Sequence, residues 1–167
     1  MDAFLREEQV VVSQPHSGLI QLYLEDLHIG QCFTSGVHHL DAARIKSFAA
    51  EFDPQPFHLD EVAARSTIFK GLSASGWHTL AVSMRLLVTG GLPISNGLIG
   101  LSVELRWPKP TRPGDTLRVE SEIIEIRPSR SSPNQGRVKV RSTTLNQAGE
   151  AVLVFTAEML VFKRASI

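Results

Sequence analysis

Apolar residues fall at helical spacing early in the chain and at alternating positions later. Behind Asp41, the residues Ala42, Ile45, Phe48, Ala49 and Phe52 share one face of a helix ending near Phe52. Asp41 suits its N-cap, because a carboxylate accepts from the unpaired amides of a first turn. Pro54 and Pro56 then push Asp53 and Gln55 out of the helical region, so residues 53–58 form a stiff turned segment. A short helix is expected from Leu59 to Arg65, followed by a loop from Ser66 to Ser75. From Gly76 a second stripe at Trp77, Leu80, Ala81, Met84, Leu87 and Val88, with Val82 and Leu86 beside it, predicts a buried central helix ended by Gly90 and Gly91. Strand-like segments precede and follow: Cys32 to His39, Leu98 to Trp107, Asp115 to Ile126, Arg137 to Leu145 and Ala151 to Lys163. The last four are joined by hairpin-length turns and should be antiparallel. The fold class is therefore α+β, a curved antiparallel sheet around one helix.

Length and composition narrow this further. The chain has 167 residues, 43% of them hydrophobic and 20% charged, which suits one folded domain over residues 24–167 behind an N-terminal arm over residues 1–23. No apolar run approaches the ~20 residues of a membrane span, and the acidic N-terminus is unlike a secretory signal, so a cytoplasmic protein is expected. Cys32 is the only cysteine, which excludes an intrachain disulfide and a thiolate-rich metal site. Acidic and basic side chains balance at 17 each, but residues 1–83 hold ten acids and five bases, and the remainder seven and twelve. That split is too weak for a nucleic-acid binder, yet it leaves cations for a phosphorylated small molecule or for a self-complementary dimer.

Asp53 and His58 carry the candidate chemistry. A carboxylate and an imidazole on one rigid turn can share a water and move protons in both directions near neutral pH, as addition or elimination of water requires. Other groupings are weaker. His38 and His39 should face opposite sides of a strand, and His78 reads as a satisfied core or interface histidine. Neither group has the spacing of a metal site. Residues 71–76 miss the nucleophile-elbow pattern, and no phosphate-cradling glycine loop is present.

Residues 52–60, Phe-Asp-Pro-Gln-Pro-Phe-His-Leu-Asp, resemble the motif of the MaoC-like family of (R)-specific enoyl-CoA hydratases and dehydratases. The similarity continues through Ala74-Ser75-Gly76-Trp77-His78, through Leu105 to Leu117 with its Pro-x-x-Pro-Gly-Asp lead into a strand, and through residues 145–150. Residues 26–31 also look like the family's opening, so the resemblance spans about residues 24–163. It implies a hot-dog fold and hydration of a 2-enoyl-CoA thioester, or dehydration of a 3-hydroxyacyl-CoA, without metal or redox cofactor. Coenzyme A would enter only as part of the substrate. Asp53 and His58 would hold the water, with either one as the base, and the Gly76 amide would form part of the oxyanion hole. A helix N-terminus with no side chain at that position suits such a role.

Gln55, Ser75 and Trp77 are expected beside the substrate. Arg106, Lys109 and Arg112 are expected at its phosphates. Where the family commonly has Asn, this chain has Gln55, behind an additional Pro54, and Met84 stands where a serine is often found. A hot-dog thioesterase and a non-catalytic acyl-thioester-binding homologue are the rival readings. The expected assembly is a homodimer or higher homo-oligomer, because long edge strands need cover.

Overall fold

The computed structural model describes residues 21–165, so the expected arm over residues 1–23 lies almost wholly outside the described residues. At its end, Leu22 donates to Pro93 O and accepts from Ser95 N–H, both at 2.8 Å.

The early elements are β1 (Cys32–Thr34), β2 (His38–His39) and α1 (Ala42–Phe52). Asp41 caps α1 as expected, its Oδ1 accepting from Arg44 N–H at 2.8 Å. One strand from Cys32 to His39 was expected; two short strands stand there, both paired to the strand over Thr116–Pro128. The segment expected to be turned over residues 53–58 ends in a separate short helix, α2 (Pro56–Leu59), and the helix expected from Leu59 to Arg65 begins two residues late, as α3 (Glu61–Arg65). Pro56 starts α2 at a position where its missing N–H costs nothing. Asp60 then leaves helical geometry and caps α3, accepting from Val62 and Ala63 N–H.

The central helix α4 (Gly76–Leu86) runs into a π-turn over Leu87–Gly91, closed by Leu92 N–H donating to Leu87 O at 2.9 Å. After it come β3 (Ile99–Arg106), β4 (Thr116–Pro128), β5 (Gln135–Leu145) and β6 (Ala151–Phe162). They pair antiparallel in the order β1-β4-β5-β6-β3, with β2 also on β4. The inner face of this sheet takes alternate residues: Leu117, Val119 and Ile123 from β4, and Val138 and Val140 from β5, all at 0–1% exposure. Burying each such side chain contributes about 1.5–3 kcal/mol.

The helix differs from expectation in which face it buries. Trp77, Ala81, Met84 and Val88 are exposed, whereas His78, Thr79, Val82, Ser83 and Leu86 face inward. The sheet tolerates these hydroxyls because it supplies partners: Ser83 Oγ lies 2.7 Å from Thr144 Oγ1, and Ser121 and Ser142 bond across β4 and β5 at 2.8 Å. Paired hydroxyls bury at little cost, and small side chains let the helix approach the strands closely. His78 stacks on Phe48 at 4.5 Å between ring centroids, but it is not satisfied as expected, since its buried Nδ1 has no partner among the described residues.

Candidate active site

Asp53 ends α1, its N–H donating to Ala49 O at 2.9 Å. The proline-held segment turns at once, Gln55 N–H reaching Asp53 O at 2.7 Å, and brings His58 on α2 back beneath the carboxylate. His58 Nε2 stands 3.4 Å from Asp53 Oδ2, with both side chains largely shielded. The other ring nitrogen, Nδ1, lies 2.7 Å from Ser73 O. A carbonyl only accepts, so Nδ1 carries the hydrogen and Nε2 is the nitrogen left to exchange protons. Phe57 packs edge-on to the imidazole at 4.5 Å, and Phe69 stands beyond it at 6.1 Å.

Burial pushes the Asp53 carboxyl upward, and it is the strongest single influence on that group. Hydrogen bonds from Ser75 and Gln55, with the charge of His58, together outweigh it and hold the carboxyl below its ordinary value. Gln55 Nε2 donates to Asp53 Oδ1 at 2.7 Å, so the residue replacing the family's common Asn supports the carboxylate. Ser75 is wholly buried and caps α4, its Oγ accepting from Trp77 N–H at 3.1 Å. One hydroxyl thus ties the Asp–His pair to the start of the central helix.

Gly76 opens that helix with no acceptor for its N–H among the described backbone contacts. Trp107, just past β3, lies over this turn and donates from Nε1 to Gly76 O at 3.1 Å. A Cβ at residue 76 would sit 2.6 Å from the indole Cε2, so only glycine fits under the ring. Trp77 meets Trp107 edge-on at 5.7 Å and remains 57% exposed.

The three expected phosphate contacts are disposed differently from one another. Arg112 turns its guanidinium inward to Phe69 O, Gly71 O and Leu72 O, which clamps the loop carrying Phe69 and Ser73. Lys109 pairs with Glu150. Arg106 is exposed, with no ion-pair partner among the described residues. Sequence reasoning missed Ser73, Phe69 and Trp107. Ser73 acts through its backbone, which leaves no residue-type signal, whereas the Trp-Pro-x-Pro run after a strand could have drawn attention to Trp107. No cluster of three metal-ligating side chains occurs among the described residues.

A central helix cradled by an antiparallel sheet, with an Asp–His pair beside the helix N-terminus, is the hot-dog architecture of hydratases and dehydratases. The chain belongs to the MaoC-like domain family, whose pattern matches residues 29–146. It is 57% identical to the MaoC-like dehydratase from Rhodospirillum rubrum, with a TM-score of 0.86 over 87% of this chain and 99% of that one. It is 28% identical to the unliganded (R)-hydratase PhaJ1 from Pseudomonas aeruginosa, with a TM-score of 0.70 over 88% and 92% of the two chains. The uncharacterized protein YdeM of Bacillus subtilis is 34% identical over 139 residues, 83% of this chain and 96% of its own.

Proposed function

We propose that the protein is a hydro-lyase that adds water to a 2-enoyl-CoA thioester and, in reverse, dehydrates the 3-hydroxyacyl-CoA. The observation that carries this reading is the anchoring of His58 Nδ1 on Ser73 O, which leaves Nε2 facing Asp53 Oδ2 across 3.4 Å. A water beside the pair, donating to both atoms, meets one fixed acceptor and one proton carrier. Asp53, held ionised, orients the water and has no proton to give. His58 Nε2 takes the water's proton as its oxygen bonds to C3, and the π electrons move toward C2 and the thioester carbonyl. The Gly76 N–H meets the charge that develops on that oxygen. The imidazolium, steadied by Asp53, then returns its proton to C2, so one water is consumed and the pair is restored. Similarity to the PhaJ1 (R)-hydratase over most of both chains supports the same chemistry.

Hydration of crotonyl-CoA is the direct test, followed through enoyl absorbance together with free thiol. Loss of enoyl without thiol supports the proposal. Thiol release would replace it with hydrolysis, and tight binding without turnover would replace it with a binding module.

We further propose a homodimer built on the β3 edge. Ile99, Leu101 and Val103 are 39–51% exposed on this strand, whose edge away from β6 has no partner among the described residues, and the outer face of α4 adds Trp77, Met84 and Val88. A free, apolar edge of this length invites strand pairing. For the phosphates of coenzyme A, Arg106 is the remaining candidate. Arg106→Ala should raise KM for the CoA thioester and leave it unchanged for a pantetheine thioester, which lacks those phosphates.

A further inference from the structure

We infer that Arg112 is a positioning residue for the Asp–His pair: it keeps the Ser73 carbonyl on Nδ1 of His58 and so leaves Nε2 free to take a proton. This rests on the reading that Nε2 is the base of a hydration. It gives the arginine a task on main-chain oxygens rather than on phosphates.

Ser73 is wholly buried and offers His58 two groups. Its carbonyl lies 2.7 Å from Nδ1, and its Oγ lies 3.4 Å from the same nitrogen. The two select opposite tautomers. A carbonyl only accepts, so it requires a hydrogen on Nδ1 and leaves Nε2 with its lone pair. A hydroxyl can donate to Nδ1, which would put the ring hydrogen on Nε2 and stop that nitrogen from taking one from water. A small shift of Ser73 is therefore enough to exchange an active tautomer for an inactive one.

Two adjacent residues bracket Ser73. Behind it, Ala74 N–H donates to Thr111 O at 2.9 Å. Ahead of it, the Arg112 guanidinium donates to Phe69 O, to Gly71 O at 2.8 Å and to Leu72 O at 3.1 Å. Ser73 N–H adds a longer bond of 3.2 Å to Phe57 O, next to His58 itself. The turn that Arg112 grips includes Lys70 at a φ of 56°, a conformation that residues with side chains rarely adopt, so this path needs an anchor. Arg112 is itself seated: its N–H donates to Asp115 Oδ2 at 2.7 Å, and Gln147 Nε2 donates to the other carboxylate oxygen at 3.1 Å. A planar guanidinium spreads its donors over three carbonyls at once, whereas the ammonium of a lysine is a point donor.

Nitrogen NMR of the imidazole rings reads the tautomer directly at about pH 8.5, where histidine is ordinarily neutral, with His58 identified by the signal lost in His58→Ala. The wild type should carry its hydrogen on Nδ1. Arg112→Ala should move His58 toward the Nε2–H form. Its kcat should fall on the order of 10-fold or more with crotonyl-CoA, and by the same factor with crotonyl-pantetheine, which lacks the phosphates. Arg112→Lys keeps the charge and part of the bonding, so it should lie between the two, and it carries the test if the alanine variant does not fold. A wild type with the hydrogen on Nε2 overturns the inference, as does a variant that loses rate while His58 keeps its Nδ1–H signal. Loss confined to the CoA thioester also overturns it and makes Arg112 a phosphate ligand. A tautomer shift in a protein that hydrates no enoyl thioester would remove the hydratase reading and leave the positioning role standing. Hydration at the wild-type rate by a folded Arg112→Ala would do the reverse.

Discussion

The segment from Asp53 to Ser75 and the outer face formed by α4 and β3 solve opposite problems. In the first, the key polar groups are paired inside the protein: Asp53 with Gln55 and Ser75, His58 with Ser73, and three loop carbonyls with Arg112. In the second, Trp77, Met84, Val88, Leu101 and Val103 are left 45–57% exposed. The polar segment is organised before any ligand arrives, and the apolar face is finished only by something that covers it. The contrast separates chemistry, which needs fixed geometry, from recognition and assembly, which use uncovered apolar surface.

Breaking the polar segment should have the largest effect. Asp53→Asn and His58→Ala are each expected to lower crotonyl-CoA hydration by ~10²-fold or more, with the double variant little worse than either single one. Additive losses in steady-state rates would assign the two residues to separate steps. Gly76→Ala comes next, since its methyl group enters the space of the Trp107 ring; a fall on the order of 10- to 100-fold in kcat/KM is expected, with a shift in tryptophan fluorescence. An unchanged emission spectrum would show that the ring had not moved.

Arg112→Ala releases three carbonyls and should destabilise the protein by about 2–3 kcal/mol in urea unfolding. It should reduce kcat more than KM, because the loop orients His58 through Ser73. A change confined to KM for CoA thioesters would return Arg112 to phosphate binding. On the apolar face, Val103→Lys should convert the proposed dimer to monomer in light scattering. A wild type already monomeric at micromolar concentration would remove the edge-pairing proposal.

The smallest effect is expected at His78. Burial holds its imidazole below the ordinary value of 6.5, with His38 and Arg44 adding to the shift and Asp41 opposing it. The unfolded chain therefore takes up the proton first as pH falls, and stability should decline below about pH 6.5. His78→Phe should keep the packing against Phe48 and flatten the Tm between pH 7.5 and 5.5 by a few degrees. The same slope in both proteins would place the titration elsewhere.

The strands were legible because alternation such as Leu117-x-Val119 leaves one face for the core, and their turns carry Gly, Pro and Asn. The α4 helix was read in the right place with the wrong face inward. Four of its apolar residues, Trp77, Ala81, Met84 and Val88, lie on the outer side, and burial of Ser83 and Thr79 depends on the hydroxyls of Thr144 and Thr111, 61 and 32 residues further along. Candidate chemistry at Asp53 and His58 could be read because two prolines make their geometry local. The contacts that orient them could not: Ser73 contributes only a carbonyl, and the inward turn of Arg112 spans some forty residues of sequence. Charge counting treats such an arginine like any exposed cation.

The Arg112 clamp bears on how this site can diversify. It grips main-chain oxygens at positions 69, 71 and 72, and every amino acid supplies one. Side chains in the loop are thereby released from holding it in place. Replacing Phe69 can reshape the cavity beside Gly76 while the carbonyl under His58 keeps its position, so the lining of the candidate site can drift through point changes without moving the Asp–His pair.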